Sequence, residues 1–242
     1  MSYQLLEQEL RVLGDTLERF DNISLYVQLR FLSHYQLALE CLDQDSCTLL
    51  RKLLAVTPTD VTAVLPVPMT VSCTTIRQSI RSHMRSFTIL PTNTHVWTIT
   101  YRDQRSEWRA APVPLVIPSM PHPVASDCHT TLTTADFLLY IQHLTLCEQY
   151  VRLTSSGEGD WTFQTSGEFA AMTIRSPSVS SVTPRPTYTV SCTFKYLRAL
   201  VTALQSQPRV ILCLKERQYV YIELQTLSIW LLHRASDGSG CG

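Results

Sequence analysis

Basic side chains recur at helical spacing in the first half of the chain. Arg77, Arg81 and Arg85 follow one another at intervals of four residues and therefore share one face of a helix. Guanidinium groups on one helix face can bind the phosphates of nucleic acid without reading its sequence. The same pattern also suits an ordinary solvent-exposed helix face, so both interpretations stay open at this point.

A second basic pair, Lys195 and Arg198, follows a pentapeptide that the chain contains twice. The sequence Thr-Val-Ser-Cys-Thr occupies residues 70–74 and again residues 189–193. Apolar residues at helical spacing follow each copy, which predicts a strand that leads into an amphipathic helix in both halves. The repetition therefore places basic residues early on the polar face of two similar helices.

Patterns typical of catalysis or metal binding are absent from the sequence. No GxSxG, HExxH, P-loop or GxGxxG motif occurs, and none of the eight cysteines forms a CxxC pair. Cys128 and His129 are adjacent, but neighbouring residues of a strand point to opposite faces and do not share a ligand. We expect a protein that is not an enzyme and that uses no metal and no cofactor.

The composition is that of a globular protein with no overall charge. Of the 242 residues, 45% are hydrophobic and 17% are charged, and 20 Lys and Arg residues balance 20 Asp and Glu residues. Any contact with nucleic acid must therefore arise from a local concentration of positive charge. The sequence shows no signal peptide and no apolar run long enough to span a membrane, which predicts an intracellular protein with reduced thiols and no membrane partner.

Hydrophobic periodicity predicts the elements of the first half. In chain order these are a helix over residues 5–20, β alternation from 23 to 42 with a turn at Ser33, His34 and Tyr35, an ambiguous segment over 46–56, an optional strand over 61–67, a helix over 74–86, and a hairpin of residues 87–90 and 96–101. Helices and antiparallel hairpins in separate stretches predict the α+β class.

A proline-rich segment separates the first half from a second half with the same order of elements. Residues 111–127 contain five prolines and no periodicity, which suits an extended connector. Thr133 and Thr134 can cap the helix that begins the second half. The predicted division is an N-terminal domain over residues 1–112, a connector over 113–127, a C-terminal domain over 128–235 and a flexible tail over 236–242.

The order of features resembles the sliding DNA clamps of the proliferating cell nuclear antigen superfamily, including its checkpoint-clamp members. The similarity is carried by Gly159 to Glu168 (GDWTFQTSGE), Thr193 to Arg198 (TFKYLR) and the closing QYVYIELQTLSIWLLHRA. In the first half, Ser33 to Leu37 is similar to the Ser-His turn and following strand of that family. The resemblance implies two similar domains, each a curved antiparallel sheet with two helices, in chains that join edge to edge into a ring of six domains.

The resemblance also implies a function and two sets of site residues. A clamp is a processivity factor that encircles duplex DNA and tethers a DNA polymerase or repair enzyme, in the nucleus or at a viral replication site. Helices that line the hole would meet the phosphate backbone through the matching basic positions Arg11, Arg77, Arg81, Arg85, Lys195 and Arg198. A pocket under the connector would receive short peptide motifs of client proteins at His34, Tyr35, Leu115, Ile117, Met120 and Leu232.

Charges elsewhere in the sequence leave two alternatives open. Glu7, Glu9, Asp15 and Glu18 on the first helix and Asp136 on the third dilute a positive lining. Such a chain could belong to a hetero-oligomeric, checkpoint-type clamp instead of a homotrimer, or it could be a clamp-fold interaction scaffold that does not encircle DNA. The connector residues likewise suit a plain linker whose apolar side chains pack on the sheet.

Overall fold

Antiparallel strands make up most of the structure, a computed structural model that describes residues 2–45, 48–59, 64–80, 84–102, 104–111, 117, 126–147, 150–155, 161–166, 171–175, 186–194, 196–197, 208–224 and 227–234. With three helices in these ranges, the fold belongs to the α+β class. The backbone contacts divide the chain into two units. The first comprises Met1–Gln44 and Leu50–Pro118, and the second comprises Asp45–Leu49 and Ser119–Gly242.

The first half of the chain forms two helices and nine strands across its described residues. In chain order these are β1 (Tyr3–Leu6), α1 (Glu7–Asp21), β2 (Tyr26–Ser33), β3 (Gln36–Leu42), β4 (Thr48–Ala55), β5 (Thr57–Pro58), β6 (Met69–Ser72), α2 (Cys73–Ser79), β7 (Ser86–Pro91), β8 (Val96–Tyr101) and β9 (Gln104–Arg109). One sheet has the strand order β5-β1-β7-β8-β9, and the neighbouring strands of another run in the order β4-β3-β2-β6.

Aromatic rings from both groups of strands form the core of the first half. Tyr3 of β1 stacks on Phe31 of β2 with ring centroids 3.9 Å apart, and Phe31 lies 5.5 Å from Trp97 of β8. All three side chains are buried, as is Trp108 of β9. Because aromatic side chains bury a large apolar area, this cluster contributes strongly to the packing of the first half.

The second half forms one described helix and eight strands. In chain order these are β10 (Cys128–Thr133), α3 (Thr134–Cys147), β11 (Val151–Ser155), β12 (Trp161–Ser166), β13 (Ala171–Arg175), β14 (Tyr188–Cys192), β15 (Arg209–Lys215), β16 (Tyr219–Glu223) and β17 (Leu227–Leu232). Their strand orders are β10-β15-β16-β17 and β13-β12-β11-β14. No helix in the described ranges has the length and apolar character needed to cross a membrane.

The alternating patterns of the sequence predict most strands correctly. β2 and β3 pair across the turn at His34 and Tyr35, and β7 pairs with β8 as the predicted hairpin. The ambiguous segment over 46–56 contains strand β4. Residues 64–67 of the optional strand over 61–67 are not in a strand, and residues 61–63 lie outside the described ranges. The structure also contains β1, whose last two residues the sequence pattern assigned to the first helix. Leu6 lies in that strand and is 55% exposed, so the predicted start of the helix at residue 5 is wrong.

Candidate nucleic-acid interface

Helix α1 has a buried apolar face and an exposed face that is mainly acidic. Its buried side includes Leu10, Leu13, Leu17 and Phe20, which recur at the three- and four-residue spacing of an amphipathic helix. The exposed charged residues are Glu7, Arg11, Asp15 and Glu18. One arginine therefore stands among three carboxylates, and the exposed face of α1 as a whole does not attract phosphate.

Arg11, the predicted DNA contact on α1, is already engaged with a neighbour. Its Nη2 atom donates to Oε1 of Glu7 at 2.5 Å, across one turn of the helix. Arg11 is 77% exposed and Glu7 is 47% exposed, so water screens the pair. A surface pair of this kind contributes about 0–1 kcal/mol, and a phosphate could therefore replace the carboxylate at modest cost.

Arg77, a predicted DNA contact, lies on α2 and forms an ion pair with a residue of α1. Its Nη1 atom lies 3.0 Å from Oδ2 of Asp21, the last residue of α1. The two helices pack side by side, and their apolar faces bury Phe20 and Ile76. The Arg77 side chain is 43% exposed, so it remains accessible from solvent while it pairs with Asp21.

The predicted stripe of Arg77, Arg81 and Arg85 is not a single helix face. α2 ends at Ser79, and Ile80 has the extended dihedral angles φ −93° and ψ 122°. The Ser79 hydroxyl donates to the Ile76 carbonyl at 2.6 Å and accepts the Trp108 indole N–H at 2.8 Å. Since a serine hydroxyl that binds a helical carbonyl competes with the backbone, these bonds favour the end of the helix at this residue. The prediction of a helix over 74–86 is therefore wrong for Ile80 and for residues 84–86, while residues 81–83 lie outside the described ranges.

Arg85 consequently lies on a different element from Arg77. It is exposed immediately before β7, beside the end of the β8–β9 hairpin. Arg81, Lys195 and Arg198 are outside the described residues, and their predicted contacts with DNA stay predictions. In the second half, the described part of the segment after the pentapeptide contains a turn in which the Leu197 N–H donates to the Phe194 carbonyl at 3.0 Å.

Helix α3 begins with the threonine cap that the sequence predicts. The Thr133 hydroxyl accepts the Asp136 backbone N–H at 3.1 Å and donates to the Asp136 carboxylate at 2.6 Å, an arrangement typical of a helix N-terminus. Phe137, Ile141 and Leu144 form the buried stripe. The sequence of α3 contains no lysine or arginine, so this helix offers no cationic group to a phosphate backbone.

The predicted client-binding residues lie in several parts of the structure. His34 and Tyr35 form the β2–β3 turn, where Tyr35 is 58% exposed and its carbonyl accepts the Val56 N–H at 3.0 Å. The Nδ1 atom of His34 is buried and has no hydrogen-bond partner within the described part of the chain. Ile117 of the first unit and Leu232 of the second are each half-buried, while Leu115 and Met120 lie outside the described ranges.

The described cysteines whose pKa departs from the ordinary value are buried. Burial raises the pKa of Cys41 far above its usual range, and burial raises the pKa of Cys73 to about 12. Burial also raises the pKa of Cys128 and of Cys213. Since the thiolate is the reactive form, these groups stay inert near neutral pH. Among the residues that the structure describes, no cluster of His, Cys, Asp or Glu could hold a metal ion.

A cationic surface that the sequence pattern does not reveal lies at the end of the β7–β8–β9 meander. Arg85, Arg102 and Arg105 border two adjoining clefts of about 280 Å³ and about 160 Å³. The three residues are exposed and form no ion pair with another described residue. The sequence shows only that these arginines lie in or near a predicted hairpin. The fold is needed to bring Arg85 beside Arg102 and Arg105.

The comparisons with known proteins do not assign the chain to a family. No protein-family model matches the sequence, and no curated protein is significantly similar to it.

Proposed function

We propose that this chain is a sliding-clamp subunit, a processivity factor that encircles duplex DNA and tethers a DNA polymerase or repair enzyme. One observation carries the proposal: both copies of the pentapeptide occupy the same place in the sheets of the two halves. In the first half Ser72 pairs with Tyr26 on the strand after α1, and in the second Ser191 pairs with Arg152 on the strand after α3. An equal register is what two copies of one domain would have.

The order of the remaining strands supports the same conclusion. The arrangement β1-β7-β8-β9 in the first half corresponds to β10-β15-β16-β17 in the second, and β6-β2-β3-β4 corresponds to β14-β11-β12-β13. Strand β1 of the first half and the corresponding strand β10 of the second are each followed directly by a helix, which begins after Leu6 and after Thr133. The segment after the last strand also bonds to the pentapeptide strand in both halves, through Ala111 N–H to Thr70 O and Arg234 N–H to Ser191 O.

Open strand edges support the assembly of such chains into a ring. Among the described strands, β9 ends its sheet in the first half, and β13 ends one in the second. Two different edges on one chain permit head-to-tail contacts, which close into a ring when the rotation between subunits fits. Arg105, Glu107 and Arg109 project from β9, and charged residues of this kind protect an edge from unspecific pairing. The partner edge must therefore be complementary.

DNA contact in this proposal is weak and sequence-independent. The exposed Arg77 of α2 is the described helical cation best suited to it, because phosphate binding requires only an accessible positive group. The acidic face of α1 and the cation-free α3 limit the attraction. Topological enclosure supplies the retention on DNA that electrostatics alone would not.

The charges of α1 and α3 also favour a second candidate, a subunit of a hetero-oligomeric, checkpoint-type clamp. In such a ring the other subunits can supply the positive lining that three copies of this chain would lack. The client-binding surface at His34 and Tyr35 would serve either assembly, since an exposed tyrosine suits the capture of a short peptide motif.

Solution mass tests whether the chain assembles alone. Light scattering of the purified protein should give a mass three times the 27.5 kDa of the chain if it forms a homotrimer. A mass of 27.5 kDa that rises only when a related subunit is added would favour the hetero-oligomer. A monomer under every condition, with no crosslink to DNA, would leave only a clamp-fold scaffold and would reject encirclement.

Replacement of the proposed DNA contacts tests the same function through binding. The variant Arg77→Ala combined with Arg81→Ala, Lys195→Ala and Arg198→Ala should reduce DNA-dependent activity by about tenfold or more, because each lost phosphate contact weakens binding. Arg152→Ala, on an exposed position of β11, removes the same kind of charge elsewhere and is the single-site control. No loss in the fourfold variant would favour the scaffold.

A further inference from the structure

The two clefts at the end of the β7–β8–β9 meander share one aromatic residue. Tyr101 lines both of them, with Arg85 and Arg102 in the larger cleft and Arg105 in the smaller. The Arg102 guanidinium lies over the Tyr101 ring, 5.4 Å from its centroid. Arginines therefore border both of the clefts that this half-buried aromatic ring lines.

The remaining lining residues complete a surface for an anionic ligand. Ser86, Thr88 and Thr100 contribute hydroxyl groups to the larger cleft, where Phe87 forms an apolar floor. No acidic residue occurs among the described residues that line either cleft. Asp103, between Arg102 and Gln104, is outside the described residues. Arginine forks and hydroxyls together are the donors that bind phosphate oxygens.

The backbone of the hairpin holds Arg102 in an unusual conformation. Its φ is 52°, in the left-handed region that residues other than glycine rarely adopt, and Tyr101 pairs with Gln104 on either side of it. A two-residue hairpin requires such an angle, because its turn must match the twist of the strands. An arginine in place of glycine keeps a cation at this tip in spite of the local strain.

We propose that these clefts bind a segment of single-stranded nucleic acid, with phosphates at Arg85, Arg102 and Arg105 and a base stacked on Tyr101. An inorganic anion would use the arginines but not the ring between them. A strand carries a phosphate before and after each base, which fits arginines in the two adjoining clefts and an aromatic side chain that lines both. The site lies on the sheet and does not depend on encirclement of duplex DNA.

Fluorescence anisotropy with a labelled oligothymidylate of roughly ten nucleotides tests this site, since single-strand sites span about that length or less. Arg85→Gln combined with Arg102→Gln should weaken binding roughly tenfold or more and lower the slope of log K against log salt by about 1.4, from about 0.7 for each lost phosphate contact. Tyr101→Leu should weaken binding roughly tenfold through loss of stacking.

Two control variants separate this site from general attraction and from the clamp proposal. Arg152→Gln removes one exposed charge from β11 and should leave the affinity within about twofold, because it lies outside the clefts. Arg77→Gln should weaken duplex binding only. Circular dichroism and thermal unfolding of each variant would establish that it folds.

Three results would overturn the inference. The first is a wild-type protein that does not bind the oligonucleotide. The second is an Arg152→Gln variant that loses as much affinity as the Arg85→Gln and Arg102→Gln double variant, and the third is a Tyr101→Leu variant that binds like the wild type. None of these results bears on whether the chain encircles duplex DNA. A chain that stays monomeric even with related subunits added, and still binds the oligonucleotide through the clefts, would reject the clamp and support this site.

Discussion

Arg77 and Asp21 form an ion pair between the two helices of the first half, with Nη1 of Arg77 3.0 Å from Oδ2 of Asp21. The carboxylate therefore competes with phosphate for the described helical cation best placed to bind DNA. Both side chains are partly exposed, so the pair contributes about 0–1 kcal/mol and can exchange partners. A weak, exchangeable ion pair is compatible with the proposed sliding on DNA, which needs no single strong phosphate contact.

Removal of the competing carboxylate should strengthen DNA binding. Asp21→Asn frees Arg77 and should raise the affinity for duplex DNA by roughly two- to fivefold, the equivalent of about 0.5–1 kcal/mol. Anisotropy titration at low salt measures the change. Asp15→Asn removes the same charge from the exposed face of α1 and should have a smaller effect, because Asp15 forms no ion pair in the described structure. Equal effects would show that only the overall charge matters.

Glu40 connects three neighbouring strands from a fully buried position. Arg51 Nη2 lies 2.6 Å from its Oε1 atom, and Arg30 Nε approaches its Oε2 atom at 3.1 Å without hydrogen-bond geometry. Glu40→Gln leaves two arginines without their counter-charge and should lower the free energy of unfolding by about 3 kcal/mol. Urea denaturation measures this change in the free energy of unfolding.

The control for Glu40 is a carboxylate with the same chemistry at the surface. Glu18→Gln on the exposed face of α1 should change the free energy of unfolding by less than about 0.5 kcal/mol. If the two variants unfold at the same urea concentration, the buried cluster does not stabilise the three strands.

Ser79 is expected to contribute to stability beyond its own helix. Ser79→Ala leaves the buried Trp108 indole without its described acceptor and removes the bond to the Ile76 carbonyl. We expect a loss of about 1–3 kcal/mol in the free energy of unfolding, the cost of an unsatisfied buried group. Ser106→Ala on exposed β9 should be nearly neutral, and Trp108 fluorescence should shift only in the first variant. An unchanged spectrum and stability would contradict this role.

Asp127 and Lys215 hold the start of β10 against the β15–β16 turn. Burial raises the pKa of Asp127, but hydrogen bonds from Lys215 at 2.7 Å and from the Glu216 N–H at 2.8 Å outweigh it, and the net pKa falls below the ordinary 3.8. The bond to Asp127 raises the pKa of Lys215 above its ordinary 10.5. The ion pair therefore stabilises the folded state at pH values between the ordinary pKa of the aspartate, 3.8, and that of the lysine, 10.5.

The pH dependence follows from the signs of those two shifts. As the pH falls through the lowered pKa of Asp127, or rises through the raised pKa of Lys215, one partner loses its charge and the stabilisation disappears. Asp127→Asn should thus unfold at lower temperature than the wild type at neutral pH, and the difference should vanish in acid. A difference between the two proteins that does not shrink as the pH falls from neutral to below the ordinary 3.8 would reject this explanation.

Local patterns predict part of this fold because they depend only on nearby residues. The alternation from Tyr26 to Leu42 is sufficient to identify β2 and β3. The end of α2 at Ser79 depends on Trp108, which is distant in sequence, and so the helical pattern continues past it. Tyr3–Leu6 is too short to separate from the helix that follows, although its pairing with β7 makes it a strand.

The site is less predictable than the fold for the same reason. The spacing of Arg77 and Arg85 suggests one cationic stripe, but it contains no information about Asp21, which arrives from another helix. Conversely, Arg85, Arg102 and Arg105 have no meaningful spacing, and only the meander of β7, β8 and β9 gathers them around Tyr101. Ion pairing and surface clustering are properties of the tertiary structure.

Retention on circular DNA tests the central claim most directly. The protein would be incubated at high concentration with nicked plasmid, separated from free protein by gel filtration in salt that screens surface charges, and then treated with an enzyme that linearises the plasmid. Encirclement predicts that the protein elutes with the circle and is released when the DNA is cut. Equal retention on circular and linear DNA, or no retention on either, would contradict the claim.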